Sequence, residues 1–451
     1  MHRLLVDQNY SAVSLDCLMM SRELFLNLGG FDEGELGRAW GDVDLCLKAR
    51  AAGYLTVWTP HVRLLQDDAR WEPSTPVQDD LMYARWLSVL ARDPAYNPGF
   101  SLQRLGGFKL SDVQLSWRPM GSWKPVPRIL VHPADLYGCG HYRIIYPFQA
   151  LEEAGKAEGS ISVGLMHPAD LERYEPDAVV LQRQIGEERL EAMRRIKAFS
   201  RAFKVYELDD YLPNLPVKSA HREHMPKDIV QSLRRGMSFV DRFVVTTETL
   251  AEAFHGYHHD IRVVPNRLPV RAWGSLGAAR RNGERMRVGW AGGASHTGDL
   301  EMIADVVREL AEDVDWVFLG MCPELLRPYV REWHQGVGIE RYADKLASLD
   351  LDLAIAPLED NPFNICKSNL KLLEYGACGF PVVCSNIAPY QGSLPVTRVK
   401  NRFTDWVDAI RSHMAEREAT ARLGDDLRMA IRRDWLLTGP ALDQWRDAWT
   451  G

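Results

Sequence analysis

Two lysines and a glutamate near the C-terminal end have the types and spacing needed to bind a phosphorylated ligand. Lys367, Lys371 and Glu374 lie at i, i+4 and i+7, so a helix that begins near Ser368 carries them on one face. A lysine at a helix start can pair with a diphosphate, and a glutamate further along can accept hydrogen bonds from hydroxyl groups. The spacing alone leaves a solvated lysine–glutamate face as the alternative.

The sequence around these residues predicts a strand–loop–helix–strand unit. The apolar run Leu351–Ala356 is followed by a polar loop and the helical segment, which stops at Gly379 before the apolar run Pro381–Ser385. In open parallel sheets, ligands bind at the carboxyl ends of the strands, where helix N-termini supply free N–H groups. We therefore predict that Lys367 and Glu374 line a ligand-binding cleft.

A second candidate site is the loop in VGWAGGASHTGDL. A strand ends in Gly292-Gly293, and Ser295 and His296 precede the next helix. Glycines allow the backbone to approach a phosphate or sugar closely. A tight turn without a ligand is the alternative for such a glycine pair.

Polar residues also follow two strands in the middle of the chain, in RILVHPADLYGCGHYRIIYP and YELDDYLPNLP. The candidates for contact with ligand oxygens or anionic groups are Gly138, Gly140, His141, Arg143, Asp209 and Asp210. A structural role for His141, and helix capping by the two aspartates, stay open as alternatives.

The elements that must position these residues alternate between strands and helices from Arg128 onward. The strand-like runs are Ile129–His132, Ala178–Leu181, Phe203–Leu208, Arg242–Thr246, Ile261–Val264, Arg287–Trp290, Trp316–Gly320, Leu351–Ala356 and Pro381–Ser385. Such alternation predicts parallel sheets with helices on both faces. Because the polar, glycine-rich stretch Pro269–Gly283 interrupts it, we predict an α/β fold with two Rossmann-like lobes, 125–268 and 284–440, and a cleft between them.

The N-terminal quarter follows a different pattern. Residues 1–68 predict a helix at Ser21–Asn27, a second helix from about Asp42 to Ala52 and a strand at Tyr54–Trp58. Three elements cannot enclose a sizeable core. Residues 69–124 predict a connector with one helical patch near Asp79–Ala91.

The run PFNICKSNLKLLEYGACGFPVV resembles the donor-binding motif of GT-B retaining glycosyltransferases of the family-4 type. Glu374 matches the glutamate that binds the donor ribose in that family, whereas Cys366 stands where the family has its first glutamate. Glu359, Asp360 or Asn364 are the candidates for that missing contact with the transferred sugar.

This resemblance implies a metal-independent, retaining transferase that moves a hexose from a nucleotide-sugar to a glycan or lipid-linked glycan, as in O-antigen or capsule synthesis. It implies no cofactor besides the nucleotide-sugar co-substrate. The implied catalytic residues are Lys367, Glu374 and His141. The implied donor-binding residues are Gly292, Gly293, Ser295, His296, Asn364 and Lys371. The implied acceptor-side residues are Gly138, Gly140, Arg143, Asp209 and Asp210. A GT-B sugar-nucleotide epimerase and a non-catalytic sugar- or nucleotide-binding protein remain as alternatives.

The run from Cys17 to Leu64 resembles the last third of a family-2 GT-A glycosyltransferase. Asp42 matches that family's general base, and Gln66 stands near the place of its metal-ligating histidine. The donor-binding half with the Asp-x-Asp metal motif is absent. The resemblance therefore implies a partial, inactive GT-A-like segment with a vestigial base and no metal site.

Length, charge and cysteine content limit the number of domains, the kind of partner and the location of the protein. The chain has 451 residues, enough for two to four domains, and a formal net charge of -7 without a dense Lys/Arg block, which argues against nucleic acid as a partner. Seven scattered cysteines indicate reduced thiols. Because no apolar run approaches the roughly 20 residues of a membrane span, we predict a cytoplasmic protein, with peripheral contact at the inner face of a membrane left open.

Overall fold

The computed structural model describes residues 5–65, 73–102, 108–111, 124–216, 228–279 and 283–451. The chain forms two compact units. The first unit consists of Met1–Lys124, Met166–Pro176 and Ala192–Arg201, and the second of Pro125–Leu165, Asp177–Glu191 and Ala202–Gly451. Within the described ranges, no helix combines the length and apolar character needed to cross a membrane.

The first unit contains a two-stranded antiparallel sheet and three helices of the N-terminal region. They are β1 (Gln8–Tyr10), α1 (Arg22–Asn27), α2 (Gly37–Ala51), β2 (Thr56–Trp58) and α3 (Pro76–Ala91). The hydroxyl of Ser21 caps α1 by accepting from the amide of Leu24, which explains where the predicted helix begins. Strand β1 has no counterpart in the sequence prediction.

Helix α3 is a packed part of the first unit. It begins at a capping box formed by Thr75 and Gln78. The hydroxyl of Tyr83 lies 3.1 Å from Nδ1 of His167, and Asp80 pairs with Arg195 at 2.9 Å. The helical patch inside the predicted connector is therefore held in place by tertiary contacts.

The second unit contains two parallel six-stranded sheets. The first has β3 (Arg128–His132), β4 (Glu158–Ile161), β5 (Ala178–Gln182), β6 (Phe203–Leu208), β7 (Arg242–Val245) and β8 (Ile261–Val263), in the order β4-β3-β5-β6-β7-β8. The second has β9 (Met286–Gly292), β10 (Val314–Gly320), β11 (Glu332–His334), β12 (Leu353–Ala356), β13 (Val382–Ser385) and β14 (Thr397–Val399), in the order β11-β10-β9-β12-β13-β14. The two sheets confirm the predicted pair of Rossmann-like lobes. The edge strands β4, β11 and β14 were not predicted, because they are only partly buried and lack continuous apolar runs.

Helices connect the strands of both lobes or follow the last strand. In chain order they are α4 (Tyr146–Glu153), α5 (Pro168–Tyr174), α6 (Glu187–Phe199), α7 (Ile229–Met237), α8 (Glu248–Ala253), α9 (Val270–Trp273), α10 (Thr297–Met302), α11 (Ala304–Glu309), α12 (Ile339–Ala347), α13 (Leu370–Cys378), α14 (Phe403–Ala415), α15 (Arg417–Asp434) and α16 (Pro440–Trp449). The last helix returns to the first lobe, where Leu442, Trp445 and Trp449 join the buried cluster around Ile129 and Val180. The core of the first lobe therefore includes residues from the C-terminal end of the chain.

Candidate functional site

Helix α13 carries two of the three residues that the sequence placed on one helical face. It begins at Leu370, whereas Lys367 has an extended backbone after the 3-10 turn Asn364–Cys366. The hydroxyl of Ser368 accepts from the amide of Leu370, at the point where the helix opens. The predicted shared face was therefore wrong for Lys367, which precedes the helix, and right for Lys371 and Glu374.

Glu374 is buried, and its carboxylate lies between two tyrosine hydroxyls. Tyr142 donates to Oε1 at 2.7 Å, and Tyr342 donates to Oε2 at 3.2 Å. Burial raises the pKa of Glu374, and the hydrogen bonds from the two tyrosines act in the opposite direction. Tyr142 belongs to the first lobe and Tyr342 to the second, so both lobes contact this carboxylate.

Lys371 lies directly behind the glycine loop at the end of β9. Its Nζ donates to the carbonyl oxygen of Ala291 at 2.6 Å and lies 4.8 Å from the centre of the Trp290 ring. A Cβ atom on Gly292 would come within 3.0 Å of the same Nζ. Burial lowers the pKa of Lys371 to about 8. The ammonium group of a half-buried lysine thus stands beside the loop that the sequence assigned to phosphate.

At the glycine loop, the backbone of Gly320 lies close to the carbonyl group of Gly292. Gly320 has φ +91°, and a Cβ there would lie 2.2 Å from the carbonyl oxygen of Gly292. Gly293 is exposed, and a Cβ there would meet no atom within 4 Å. The 3-10 turn Ala294–His296 follows, and Ser295 is half-buried within it.

A buried carboxylate, Asp299, organises the residues after this loop. Its Oδ1 accepts from the Glu359 amide at 2.8 Å and from Nδ2 of Asn364 at 3.1 Å, and its Oδ2 lies 2.7 Å from Nδ1 of His296. Burial, together with the charge of Lys371, lowers the pKa of His296 to about 4. His296 and Asn364 are therefore brought together, with the imidazole neutral at neutral pH.

Lys367 lies at the boundary between the two lobes. Its Nζ is 3.9 Å from Oδ1 of Asp210 in the first lobe and 4.7 Å from the centre of the Phe363 ring. The structure thus brings one acceptor-side candidate next to one catalytic candidate.

The first-lobe loop that contains Gly138 and Gly140 is anchored by Asp135. Its Oδ1 accepts from the amide of Gly140 at 3.1 Å, and a Cβ on Gly140 would lie 1.8 Å from the Asp135 carbonyl oxygen. A Cβ on Gly138 would meet no atom within 4 Å. His141 follows with a partly exposed ring, whose Nδ1 lies 2.9 Å from the carbonyl oxygen of Tyr137.

Arg143 is fully buried, and its guanidinium is committed to internal partners. It donates to Glu207 at 2.6 Å, to the Val264 carbonyl at 2.7 Å and to Oδ1 of Asn266 at 2.9 Å, and it lies 4.5 Å from the centre of the Trp445 ring. Burial raises the pKa of Glu207 to about 7, with Arg143 opposing that shift. Arg143 has no exposed surface to offer an acceptor, so its observed contacts are structural.

Asp209 and Asp210 lie close to Cys139. Within the described residues these three form the one group whose ligand atoms, all within 4.8 Å of one another, match the spacing of a metal site. The charge of Arg183 acts on both aspartates and on Cys139.

In the first unit, the two aspartates near the start of α2 differ in their surroundings. Asp42 is partly exposed, and its Oδ1 accepts from the amide of Val43 at 2.8 Å. Asp44 is fully buried and binds Lys48 at 2.6 Å and Nε1 of Trp86 at 2.9 Å. The predicted replacement of a metal-ligating histidine by Gln66 lies outside the described residues.

Sequence reasoning missed several side chains that hold the candidate site. They are Tyr142, Tyr342, Trp290, Asp299 and Arg183. Asp299, three residues after His296, carried a spacing signal for a contact on a helical turn. The tyrosines carried none, because Tyr142 is separated from Glu374 by 232 residues.

Comparisons with known proteins bear on short stretches of sequence and on the fold. No family model matches the chain. It is 45% identical over 111 residues to the uncharacterized protein y4gI of Sinorhizobium fredii. The matched stretch covers 23% of this chain and 12% of that protein. It is 34% identical over 101 residues to the O-antigen biosynthesis protein RfbC of Myxococcus xanthus, which covers 21% of this chain and 8% of that protein. The chain thus spans about a tenth of the length of these relatives.

Solved structures match a much larger share of this chain than the sequence relatives do. A sucrose-phosphate synthase from Thermosynechococcus elongatus superimposes with a TM-score of 0.51 at 12% identity, over 71% of this chain and 98% of that one. A glycosyltransferase from Rickettsia africae superimposes with a TM-score of 0.51 at 11% identity, over 72% of this chain and 98% of that one. HepE from Anabaena, solved in complex with UDP, superimposes with a TM-score of 0.50 at 13% identity, over 71% of this chain and 98% of that one. The chain has the GT-B fold.

Proposed function

We propose that this chain is a glycosyltransferase that moves a hexose from a nucleotide-sugar to a glycan acceptor in bacterial surface polysaccharide synthesis. The observation that carries the proposal is the position of Lys371 beside the Gly292-Gly293 loop at the carboxyl end of β9, with Glu374 one turn further along α13. UDP in the HepE structure and the O-antigen role in the name of RfbC support a nucleotide-sugar donor and a polysaccharide product.

In the proposed mechanism, the donor diphosphate lies against the glycine loop. The bond between the sugar C1 and the diphosphate oxygen breaks with its electron pair on the diphosphate. An acceptor hydroxyl oxygen forms the new bond to C1, and the hydroxyl proton passes to the departing diphosphate oxygen. Lys371 and Lys367 stabilise the charge that develops on the leaving group. Glu374 accepts from the donor ribose hydroxyls. Retention of configuration and independence from metal ions belong to this proposal.

His296 has a positioning role in the same proposal. Its Nδ1 is held by Asp299, which also binds Asn364 and the amide of Glu359. The network therefore fixes the orientation of the imidazole next to the glycine loop. Because the neutral ring donates its one proton from Nδ1 to the Asp299 carboxylate, Nε2 can only accept, which suits a sugar hydroxyl rather than a phosphate oxygen.

The first experiment measures UDP binding by calorimetry with the full chain. Lys367→Ala is expected to weaken binding by roughly 1.5–3 kcal/mol, the value of one hydrogen bond between charged groups. Glu374→Gln is expected to weaken UDP binding, because UDP carries the ribose, while the melting temperature stays unchanged. Glu324→Gln, an exposed glutamate of the same lobe, is the matched control. Unchanged UDP affinity in both site variants would contradict the assignment.

The second experiment separates the proposed transfer from the alternatives. The full chain is incubated with radiolabelled nucleotide-sugars, with and without membranes that contain lipid-linked glycans. Transfer predicts label in the glycan only when acceptor is present. Interconversion of the donor alone would identify an epimerase, and UDP binding without any product would identify a non-catalytic binding protein.

A further inference from the structure

The carboxylate proposed to bind the donor ribose already has a partner from the opposite lobe. Tyr142 in the first lobe donates to Oε1 of Glu374 at 2.7 Å, and both side chains are buried, at 4% and 7% exposure. The second oxygen accepts from Tyr342 of its own lobe at 3.2 Å. Ribose hydroxyls that bind this carboxylate must therefore compete with a tyrosine.

Tyr142 is held in an unusual backbone segment. It lies in a π-helical turn, His141–Ile145, between a single α-helical turn and α4. Single π turns inside helices occur often at functional sites, because the extra residue changes the direction of the side chains. Here the next residue, Arg143, binds Glu207 of the first lobe, while Tyr142 reaches Glu374 of the second. The turn is anchored on one lobe and contacts the other.

Other contacts between the lobes involve the segment just before α13. Thr247 donates to the carbonyl oxygen of Cys366 at 2.9 Å, and Nδ2 of Asn266 donates to Oγ of Ser368 at 2.9 Å. These bonds use atoms with no proposed role toward the donor. The bond from Tyr142 differs because it occupies a carboxylate that is proposed to bind the ligand.

We propose that Tyr142 gates the donor site: its hydroxyl competes with the nucleotide's ribose hydroxyls for Glu374, and nucleotide binding displaces it. The inference rests on the proposed function, since it requires Glu374 to bind ribose. When only a fraction of the protein is competent to bind, the apparent affinity is reduced by that fraction. Removal of the tyrosine hydroxyl therefore increases nucleotide affinity.

The test is calorimetric titration of UDP into the full-length Tyr142→Phe variant. Phenylalanine keeps the ring and removes only the hydroxyl, and a melting curve checks that the variant folds. The expected result is a Kd about threefold to tenfold lower than that of the unmodified chain, the range that one net hydrogen bond supports. An unchanged or higher Kd overturns the proposal.

Tyr342→Phe is the matched control. It removes a hydroxyl from the same carboxylate but breaks no contact between the lobes. It is expected to raise the Kd for UDP, because the carboxylate loses a hydrogen bond that orients it within its own lobe. An equal gain in both variants would overturn gating by Tyr142, because release of the carboxylate alone would then account for it.

Glu374→Gln distinguishes this inference from the proposed function. If Glu374→Gln leaves the UDP affinity unchanged, the assignment of Glu374 to the ribose fails, and gating fails with it. If Glu374→Gln weakens UDP binding while Tyr142→Phe does not strengthen it, only gating is wrong. In the double variant, the gain from Tyr142→Phe is expected to disappear.

Discussion

Lys371 and Lys367 differ in what surrounds their charge. Both side chains are half-buried, but Lys371 contacts the Trp290 ring and the Ala291 carbonyl, whereas Lys367 lies beside Asp210. Removing an ammonium group from water costs free energy. A role in phosphate binding explains why a lysine stands behind the glycine loop, because proteins retain energetically unfavourable charged residues mainly at functional sites.

Substitution of Lys371 by methionine is expected to raise the Kd for UDP roughly tenfold or more, because one hydrogen bond to a charged group is lost. Methionine keeps most of the buried apolar chain. Calorimetry on the full chain measures the change, with Lys400→Met, an exposed lysine of the same lobe, as control. Equal affinities in the two variants would assign Lys371 a purely structural role.

The affinity for UDP is also expected to depend on pH. In the free protein burial lowers the pKa of Lys371 to about 8, and a bound diphosphate raises that pKa again. Affinity is therefore full below pH 8 and falls as the pH rises through 8 toward the pKa of the complex. Titrations at about pH 7 and about pH 9 should show this decrease in the unmodified chain. A decrease of the same size in Lys371→Met would assign it to another group.

At the scale of elements, the candidate site depends on how the ends of two strands meet. Gly292 at the end of β9 pairs with Gly320 at the end of β10. Only a residue without a Cβ fits the left-handed backbone of Gly320 against the neighbouring carbonyl. The strand pair thus positions the loop that begins at Gly293.

Gly320→Ala and Gly293→Ala are expected to act differently. Gly320→Ala should lower the melting temperature and weaken UDP binding together, because the new Cβ strains the backbone and displaces Gly292. Gly293→Ala should leave the melting temperature unchanged and raise the Kd for UDP, since its Cβ projects into open space at the loop. Thermal melting and calorimetry on both variants check this, and equal melting temperatures would contradict the strain argument.

At the scale of the whole molecule, the last helix of the chain belongs to the first lobe, although it follows the second lobe in the sequence. The C-terminal helix α16 packs into the core of the first lobe, and Arg143 joins that helix to Val264 and Asn266, which follow β8. The second lobe was predicted to end at residue 440 with nothing assigned beyond it. The residues after that point complete the first lobe instead.

Trp449→Ala is expected to destabilise the second unit by about 3–5 kcal/mol, the usual cost of removing a buried aromatic side chain. Trp449 is fully buried in the core of the first lobe. Denaturant unfolding measures the free energy of unfolding, with Met429→Ala as control because Met429 is 60% exposed. A change as small as that of the control would show that α16 adds little to the lobe.

The first unit supplies a further prediction. Asp42→Asn is expected to leave both sugar transfer and the melting temperature unchanged, because Asp42 contacts only its neighbouring amide among the contacts seen. Asp44→Ala is expected to lower the melting temperature, because it removes a buried partner of Lys48 and Trp86. Transfer assays with and without a chelator accompany both variants. A large loss in Asp42→Asn, or with chelator, would give the residue or a metal a part in the reaction.

The sequence alone determined the fold class and the central strands, because buried parallel strands read as continuous apolar runs between helical segments. It also placed Lys371 and Glu374 on one helical face, since that spacing is local. Tertiary structure decided the rest. It placed Lys367 ahead of the helix, enclosed Arg143, and set Tyr142 against Glu374. Such pairings depend on how two lobes pack, and local sequence patterns do not encode contacts between residues so far apart.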